Sequence, residues 1–331
     1  MAILNSNGIS IKGIACILPK NKEDNLNIDF IDKNNLKRII EHTGIKYRYT
    51  IKNKQSPIKE GFYQAVKKLL SNTRWEENSI DILITITQSS GNQIPAISCQ
   101  LQNEFNFSNR VLAYDINLGC SGFVYGLNSI SQLLKSIDKP SCRAILCCGD
   151  YSSQLIHKED PSVRPIFSDA VSATAIEFNR NDSSNCSFNL ETFGEGKSAI
   201  YTDNDGYMRL NGIDVFNYSM QYVPNNIKQL LQSNSLKANN IKQYFFHQAN
   251  KIINDSLQKK LKLNDEQVQN SIQLYGNTST ASIPITIAKA VLDDTLAEGW
   301  TVLSGFGVGF SVASALIKME TLASSITFFD L

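Results

Sequence analysis

One order of helix-like and strand-like segments occurs twice along this chain. In the first copy, EGFYQAVKKLLSN sets Phe62, Val66, Leu69 and Leu70 at helical spacing, and the apolar run SIDILITITQ follows as a strand. Helical AISCQLQNEFN, strand RVLAYDI, helical CSGFVYGLNSISQLLKS and strands RAILCCG and AVSATAIEF complete it. The second copy runs helical GIDVFNYSMQYVPNNIKQLLQ, strand KQYFFH, helical NKIINDSLQKKLKL, strand NSIQL, helical NTSTASIPITIAKAVLD and strands TVLSGF and SVASALIK. Spacing agrees with duplication: Cys120 lies 23 residues before Arg143, and Asn277 lies 23 before Trp300. Alternating strands and helices predict largely parallel sheets covered by helices, and two packed copies predict an α/β/α/β/α stack. The halves are expected at 1–204 and 205–331. Chemistry in such folds collects where strand C-termini meet helix N-termini.

Composition narrows the function classes. With 331 residues, 42% of them hydrophobic, and only 8 prolines, the chain can bury a large core. Thirty-two basic against 31 acidic residues leave a net charge of +1, too little to hold nucleic acid or an anionic membrane. No apolar run reaches the roughly 18 residues that span a bilayer, and MAILNSNGIS has no basic-then-apolar leader pattern. A soluble, unexported, cytoplasmic protein is expected. The seven cysteines are odd in number and form no CxxC pair, and the three histidines lack ligand spacing, so reduced thiols and no metal site are expected.

Three strand-to-helix junctions carry reactive side chains. Cys120 closes YDINLGC ahead of a helix with Phe123, Leu127, Ile130, Leu134 and Ile137 on its apolar face. A thiol at a helix N-terminus is expected to favour the thiolate, and Gly119 and Gly122 leave room for an approaching group; a buried structural cysteine is the alternative. His247 follows YFF and precedes a helix near Asn250, whereas His42 and His157 lie in polar stretches. Asn277, in YGNTSTAS, occupies the position equivalent to Cys120 in the repeat; it or Thr278 can equally cap the helix that follows. If the halves pack about a pseudo-twofold axis, Cys120, His247 and Asn277 converge. GFGVGF (Gly305 to Phe310) does not fit the dinucleotide fingerprint, because its third glycine comes early and a strand follows. A tight turn between two strands is expected there, offering a backbone N–H as an oxyanion donor beside that of Cys120.

These segments resemble the β-ketoacyl-acyl carrier protein synthase III family of the thiolase superfamily. The likeness covers nearly the whole chain through TGIKYR (Thr43 to Arg48), DINLGCSGFVYGL, HQAN (His247 to Asn250), GNTSTASIP (Gly276 to Pro284) and GFGVGF. DINLGCSGFVYGL with HKEDPSVRPIFSDA is especially similar to homologues from bacterial surface-polysaccharide and secondary-metabolite gene sets. The resemblance implies a duplicated, five-layered thiolase-like fold. It implies that Cys120 holds an acyl group as a thioester, while His247 and Asn277 stabilise the enolate left when a malonyl-acyl carrier protein loses carbon dioxide. Condensation of the two then gives a β-ketoacyl thioester, with no cofactor beyond thioester substrates of acyl carrier protein or coenzyme A.

The resemblance also implies secondary positions. Val308 and Cys120 supply the oxyanion N–H groups. Arg164 matches one side of the family's adenine clamp, and by their positive charge Arg38, Lys251, Lys259 and Lys260 are expected to join it in recognising the carrier. The chain is a homodimer through the strand near 111–117, with the GNQIPAI loop placing Ile94 in the partner's acyl pocket. Several positions depart from the fatty-acid enzymes: Arg38 replaces the tryptophan that stacks on adenine, His42 replaces an arginine, and Ile252 stands where an arginine often docks the carrier. Arg38 facing Arg164 across adenine is expected to repel, favouring delivery by a carrier protein over coenzyme A. Transfer of the acyl group to a hydroxyl, an amine or an unusual acceptor is the alternative. A papain-like protease shares the Cys, His, Asn order but has its cysteine near the mature N-terminus in a C-G-x-C-W setting. A silent partner subunit would lack the cysteine or histidine, and both are present.

Overall fold

The computed structural model describes residues 3–53, 57–91 and 94–331. Two six-stranded sheets share one plan. The first runs, from edge to edge, Ala323–Phe329, Ile9–Pro19, Ala170–Asn179, Ser141–Asp150, Ile82–Ile86 and Leu112–Ile116. The second runs Leu4–Asn7, Asn185–Thr192, Ser311–Met319, Gly299–Gly307, Gln243–Phe246 and Val268–Gln269. Helices Gly122–Ser136 and Ser282–Leu292 lie between the sheets in one continuous core with Ile84, Ile86, Phe245 and Leu303. Helices Ile58–Thr73 and Ile97–Glu104 cover the outer face of the first sheet, and Gly212–Ser233 and Lys251–Leu261 that of the second. The stack is the expected thiolase-like α/β/α/β/α arrangement. Burial on both faces explains why a central strand such as Ile82–Ile86 is buried along its whole length and apolar at every position but Thr85 rather than alternating.

The sheets are mixed rather than largely parallel. Ser141–Asp150 pairs antiparallel with Ala170–Asn179, and Gly299–Gly307 pairs antiparallel with Ser311–Met319. In each case the connection lacks the long crossover helix that a parallel neighbour requires. Strands also cross the 204/205 division: Leu4–Asn7 and Asn185–Thr192 belong to the second sheet, while Ala323–Phe329 belongs to the first. The expected strand over NSIQL is a one-turn helix, Ile272–Tyr275, because Gln248 Oε1 accepts from the N–H groups of Ser271 (3.0 Å) and Ile272 (3.1 Å) and starts the turn. Val268–Gln269 is the strand at that place.

Candidate active site

Cys120 follows the edge strand Leu112–Ile116, in a turn closed by the Gly122 N–H on Gly119 O at 2.7 Å, two residues before the helix begins. The second sheet comes right up to it. A Cβ on Gly307, whose φ is +151°, would lie 2.9 Å from Cys120 Cβ and 3.1 Å from its Sγ, so the backbone there passes close to the sulfur only because no side chain intervenes.

His247 extends the strand Gln243–Phe246, its N–H bonded to Ser304 O at 2.8 Å. Its Nδ1 is 2.7 Å from Ser282 Oγ, and its ring meets Phe306 edge-on at 5.5 Å, so Nε2 is the nitrogen left for chemistry. Asn277 is held on both sides by the 166–168 segment: its N–H donates to Ile166 O (3.1 Å), and its carbonyl accepts from the Ser168 N–H (2.8 Å). Its Oδ1 accepts from the Ser279 N–H at 2.9 Å, which fixes the amide with its NH2 turned to Ala249 O at 3.3 Å. The residue does make a local cap, and that cap is what orients it.

Cys120, His247 and Asn277 line one cavity of about 40 Å³, together with Phe167, Val215, Phe306 and Gly307. That volume holds a few waters at most. Burial holds His247 far below its ordinary value, at about 3, so it is neutral at any working pH. The Cys120 thiol departs from the sequence expectation: burial, reinforced by the Asp150 carboxylate, pushes it up to about 12. The Ser279 hydroxyl and the backbone N–H groups of Cys120 and Val308 oppose the rise without overcoming it. Loss of water outweighs the partial charge of a helix end. No group of His, Cys, Asp or Glu among the described residues could hold a metal ion.

The remaining sequence-singled residues lie elsewhere. Arg164 donates to Glu23 at 2.6 Å, and Glu23 also takes the buried Arg48 at 2.7 Å. Arg164 lines a surface cavity of about 500 Å³ with Lys22, Asp24, Asp29, Lys158 and Glu159, and Arg38, exposed on helix Lys33–Thr43, does not line it. The expected Arg38–Arg164 pair facing each other is not present, because Arg38 lies outside this cavity and Arg164 turns to Glu23, which it shares with Arg48. Lys251 is ion-paired with Asp255, Lys260 donates to Met220 O at 2.8 Å, and Lys259 is exposed. Ile94 is 88% exposed, away from the Cys120 cavity; Asn92 and Gln93 of the same loop lie outside the described residues. Sequence reasoning missed Ser279, Thr280, Ser282 and Asp150. The run of hydroxyl residues in NTSTAS, more than one helix cap requires, was the available signal.

Comparison with known proteins agrees with this fold. Residues 114–194 match the family model for 3-oxoacyl-[acyl-carrier-protein] synthase III, and residues 231–319 match the model for its C-terminal part. A Campylobacter jejuni protein assigned to 3-oxoacyl-[acyl-carrier-protein] synthase 3 is 30% identical, covering 94% of both chains. The chain belongs to the 3-oxoacyl-[acyl-carrier-protein] synthase III family. It is an enzyme of the ketoacyl synthase type, whose chemistry is condensation. Another relative, the Brucella suis β-ketoacyl-[acyl-carrier-protein] synthase III, is 27% identical over 93% of this chain and 98% of its own. Among solved structures, a 3-oxoacyl-(acyl-carrier protein) synthase from Burkholderia xenovorans superimposes with a TM-score of 0.93 at 28% identity, covering 99% of this chain and 98% of that one. A priming β-ketosynthase of the R1128 polyketide pathway, at 20% identity and a TM-score of 0.86, shares the fold, covering 95% of this chain and 97% of its own.

Proposed function

We propose that Cys120 carries an acyl group as a thioester and that His247 and Asn277 stabilise the enolate of a malonyl-acyl carrier protein as it loses carbon dioxide. The convergence of the three side chains on one cavity carries this reading. A thiol is both a good nucleophile and a good leaving group for thioester exchange. Neutral N–H donors from His247 Nε2 and Asn277 Nδ2 suit an oxyanion that develops in the transition state. The N–H groups of Cys120 and Val308, directed at the sulfur, are the donors for the thioester oxygen during acylation.

Delivery by a carrier protein in preference to coenzyme A is part of the reading. The Arg164 cavity sets Glu23, Asp24, Asp29 and Glu159 against Lys22, Lys158 and Arg164, which leaves no excess of positive charge for a polyphosphate, and Arg38 offers no indole to stack on adenine. A homodimer is also proposed. Among the described residues Leu112–Ile116 pairs on one side only, and the exposed Ile94 precedes the Ile97 and Ser98 N–H groups that bind Asp115 of this strand, so that it can anchor in a partner's pocket.

Intact-protein mass spectrometry with a panel of acyl thioesters, alongside carbon dioxide release from malonyl-acyl carrier protein, tests the function. Acylation should map to Cys120, with the carrier-bound acyl chain used better than its coenzyme A thioester. His247→Ala and Asn277→Ala should each cost decarboxylation roughly 100- to 1,000-fold, and cost acylation less. Acylation of another cysteine, or equal losses in both half-reactions, would sink the assignment; acylation without carbon dioxide release would point to transfer to a hydroxyl or amine.

A further inference from the structure

Asp150 ends the strand Ser141–Asp150 and is completely enclosed. Its Oδ1 accepts from the Gln88 N–H at 2.6 Å, from Thr87 Oγ1 at 3.0 Å and from Ser89 Oγ at 3.4 Å. Its Oδ2 accepts from Thr280 Oγ1 at 3.0 Å. The Thr280 hydroxyl also lies 3.2 Å from Gly119 O, in the turn that carries Cys120. One carboxyl thus joins three loops: the 87–89 turn, the Cys120 turn, and the 277–282 segment that belongs to the second half of the chain. That segment reaches every member of the site. It contains Asn277, gives its Ser279 N–H to Asn277 Oδ1, and sets Ser282 against His247 Nδ1. Ser279 sits at φ +49°, a left-handed conformation a serine adopts only where its surroundings hold it there.

We propose that Asp150 is a positioning residue: through Thr280 it holds the loop bearing Asn277 against the turn bearing Cys120, and so sets the relative placement of the two half-reactions. The inference rests on the acyl-transfer reading above. Its physical interest is that the device works against the nucleophile. A carboxylate beside Cys120 makes its thiolate harder to form, and Asp150 is itself shifted upward by burial despite its hydrogen bonds. The other titratable groups around the pair are Cys148 on the Asp150 strand, pushed well up by burial, and His247 across the cavity, held neutral. No cation offsets the charge within that set. A carboxylate kept there at the expense of thiol acidity points to a role in alignment.

The two effects separate experimentally. Asp150→Asn removes the charge but keeps an acceptor for the 87–89 turn, and its amide NH2 can donate to Thr280 Oγ, which then donates to Gly119 O. In this variant, alkylation of Cys120 by iodoacetamide, followed on its own peptide, should shift to lower pH and run about tenfold faster at pH 8 for each pKa unit lost. Decarboxylation should stay within about tenfold of the parent. Thr280→Val keeps the charge and removes the bridge from Asp150 to the Gly119 carbonyl of the Cys120 turn, leaving the Ser279 hydroxyl as the segment's remaining side-chain bond to the carboxyl; decarboxylation should fall about tenfold or more relative to acylation, with no shift of alkylation toward lower pH. An Asp150→Asn protein that alkylates no faster, or a Thr280→Val protein with an unchanged ratio of the half-reactions, overturns the inference. Alkylation requires no acyl substrate, so its failure is distinguishable from failure of the proposed function, which would show as parent enzyme that neither acylates nor decarboxylates.

Discussion

At the scale of single residues, burial decides protonation. His247 takes up a proton near pH 6.5 when unfolded but only near 3 in the fold. Between those values the unfolded chain binds more protons. The contribution of His247 to stability is therefore complete above about pH 6.5 and declines as pH falls, by about 1.4 kcal/mol per unit. Asp169, raised to about 6 by burial, acts in the opposite sense over its own range, so the difference between parent and His247→Gln isolates the histidine. Urea unfolding at pH 7, 6 and 5 should show the parent losing ground on the variant as the solution is acidified; parallel curves would disprove the neutral, desolvated state. The sequence located the Cys, His and Asn through their junctions. It could not supply the direction of the thiol shift, because the enclosing Phe167 and Phe306 and the Asp150 charge are distant in sequence.

At the scale of elements, the site depends on how closely a strand can approach a helix turn. Gly305, in the strand Gly299–Gly307, has no room for a Cβ: one would lie 2.8 Å from Ser121 Cα and 2.9 Å from Cys120 O, both backbone atoms that no rotamer change can move. Gly305→Ala should therefore cost about 1–3 kcal/mol and depress acylation of Cys120. Gly194→Ala, where a Cβ meets nothing within 4 Å, is the control. Equal chemical unfolding midpoints for the two variants would refute the close-approach argument. The repeated helices and central strands were legible from periodicity, since each buries a regular apolar pattern. Strands such as Leu4–Asn7 and Asn185–Thr192 were not, because half-polar edge or flanking segments acquire their structure from the neighbour they pair with.

At the scale of the whole molecule, the first sheet ends in an unblunted edge. The Leu112 N–H turns inward to Asp81 O at 2.9 Å, so by strand alternation Ala113 and Asp115 direct theirs outward. A second copy pairing there would satisfy those groups and give Ile94 a place to bury. Ala113→Pro removes an outward donor at a position where an edge strand tolerates proline, and should convert a dimer to a monomer with little change in secondary structure. Light scattering at micromolar concentration reads this directly. A parent protein that is already monomeric and fully active would refute the dimer.

Periodicity, duplication and motif spacing, all readable along the chain, determined the layered α/β plan and singled out Cys120, His247, Asn277 and the turn that faces them. Tertiary structure decided what depends on contacts between distant segments. Glu23 captures Arg164 across 141 residues, Thr280 reaches Asp150 across 130, and the terminal strands change sheets. Hydrogen bonds, ion pairs and desolvation act through space, so a residue's charge state and freedom follow from its neighbours in the fold, whereas its intrinsic chemistry is already written in its identity.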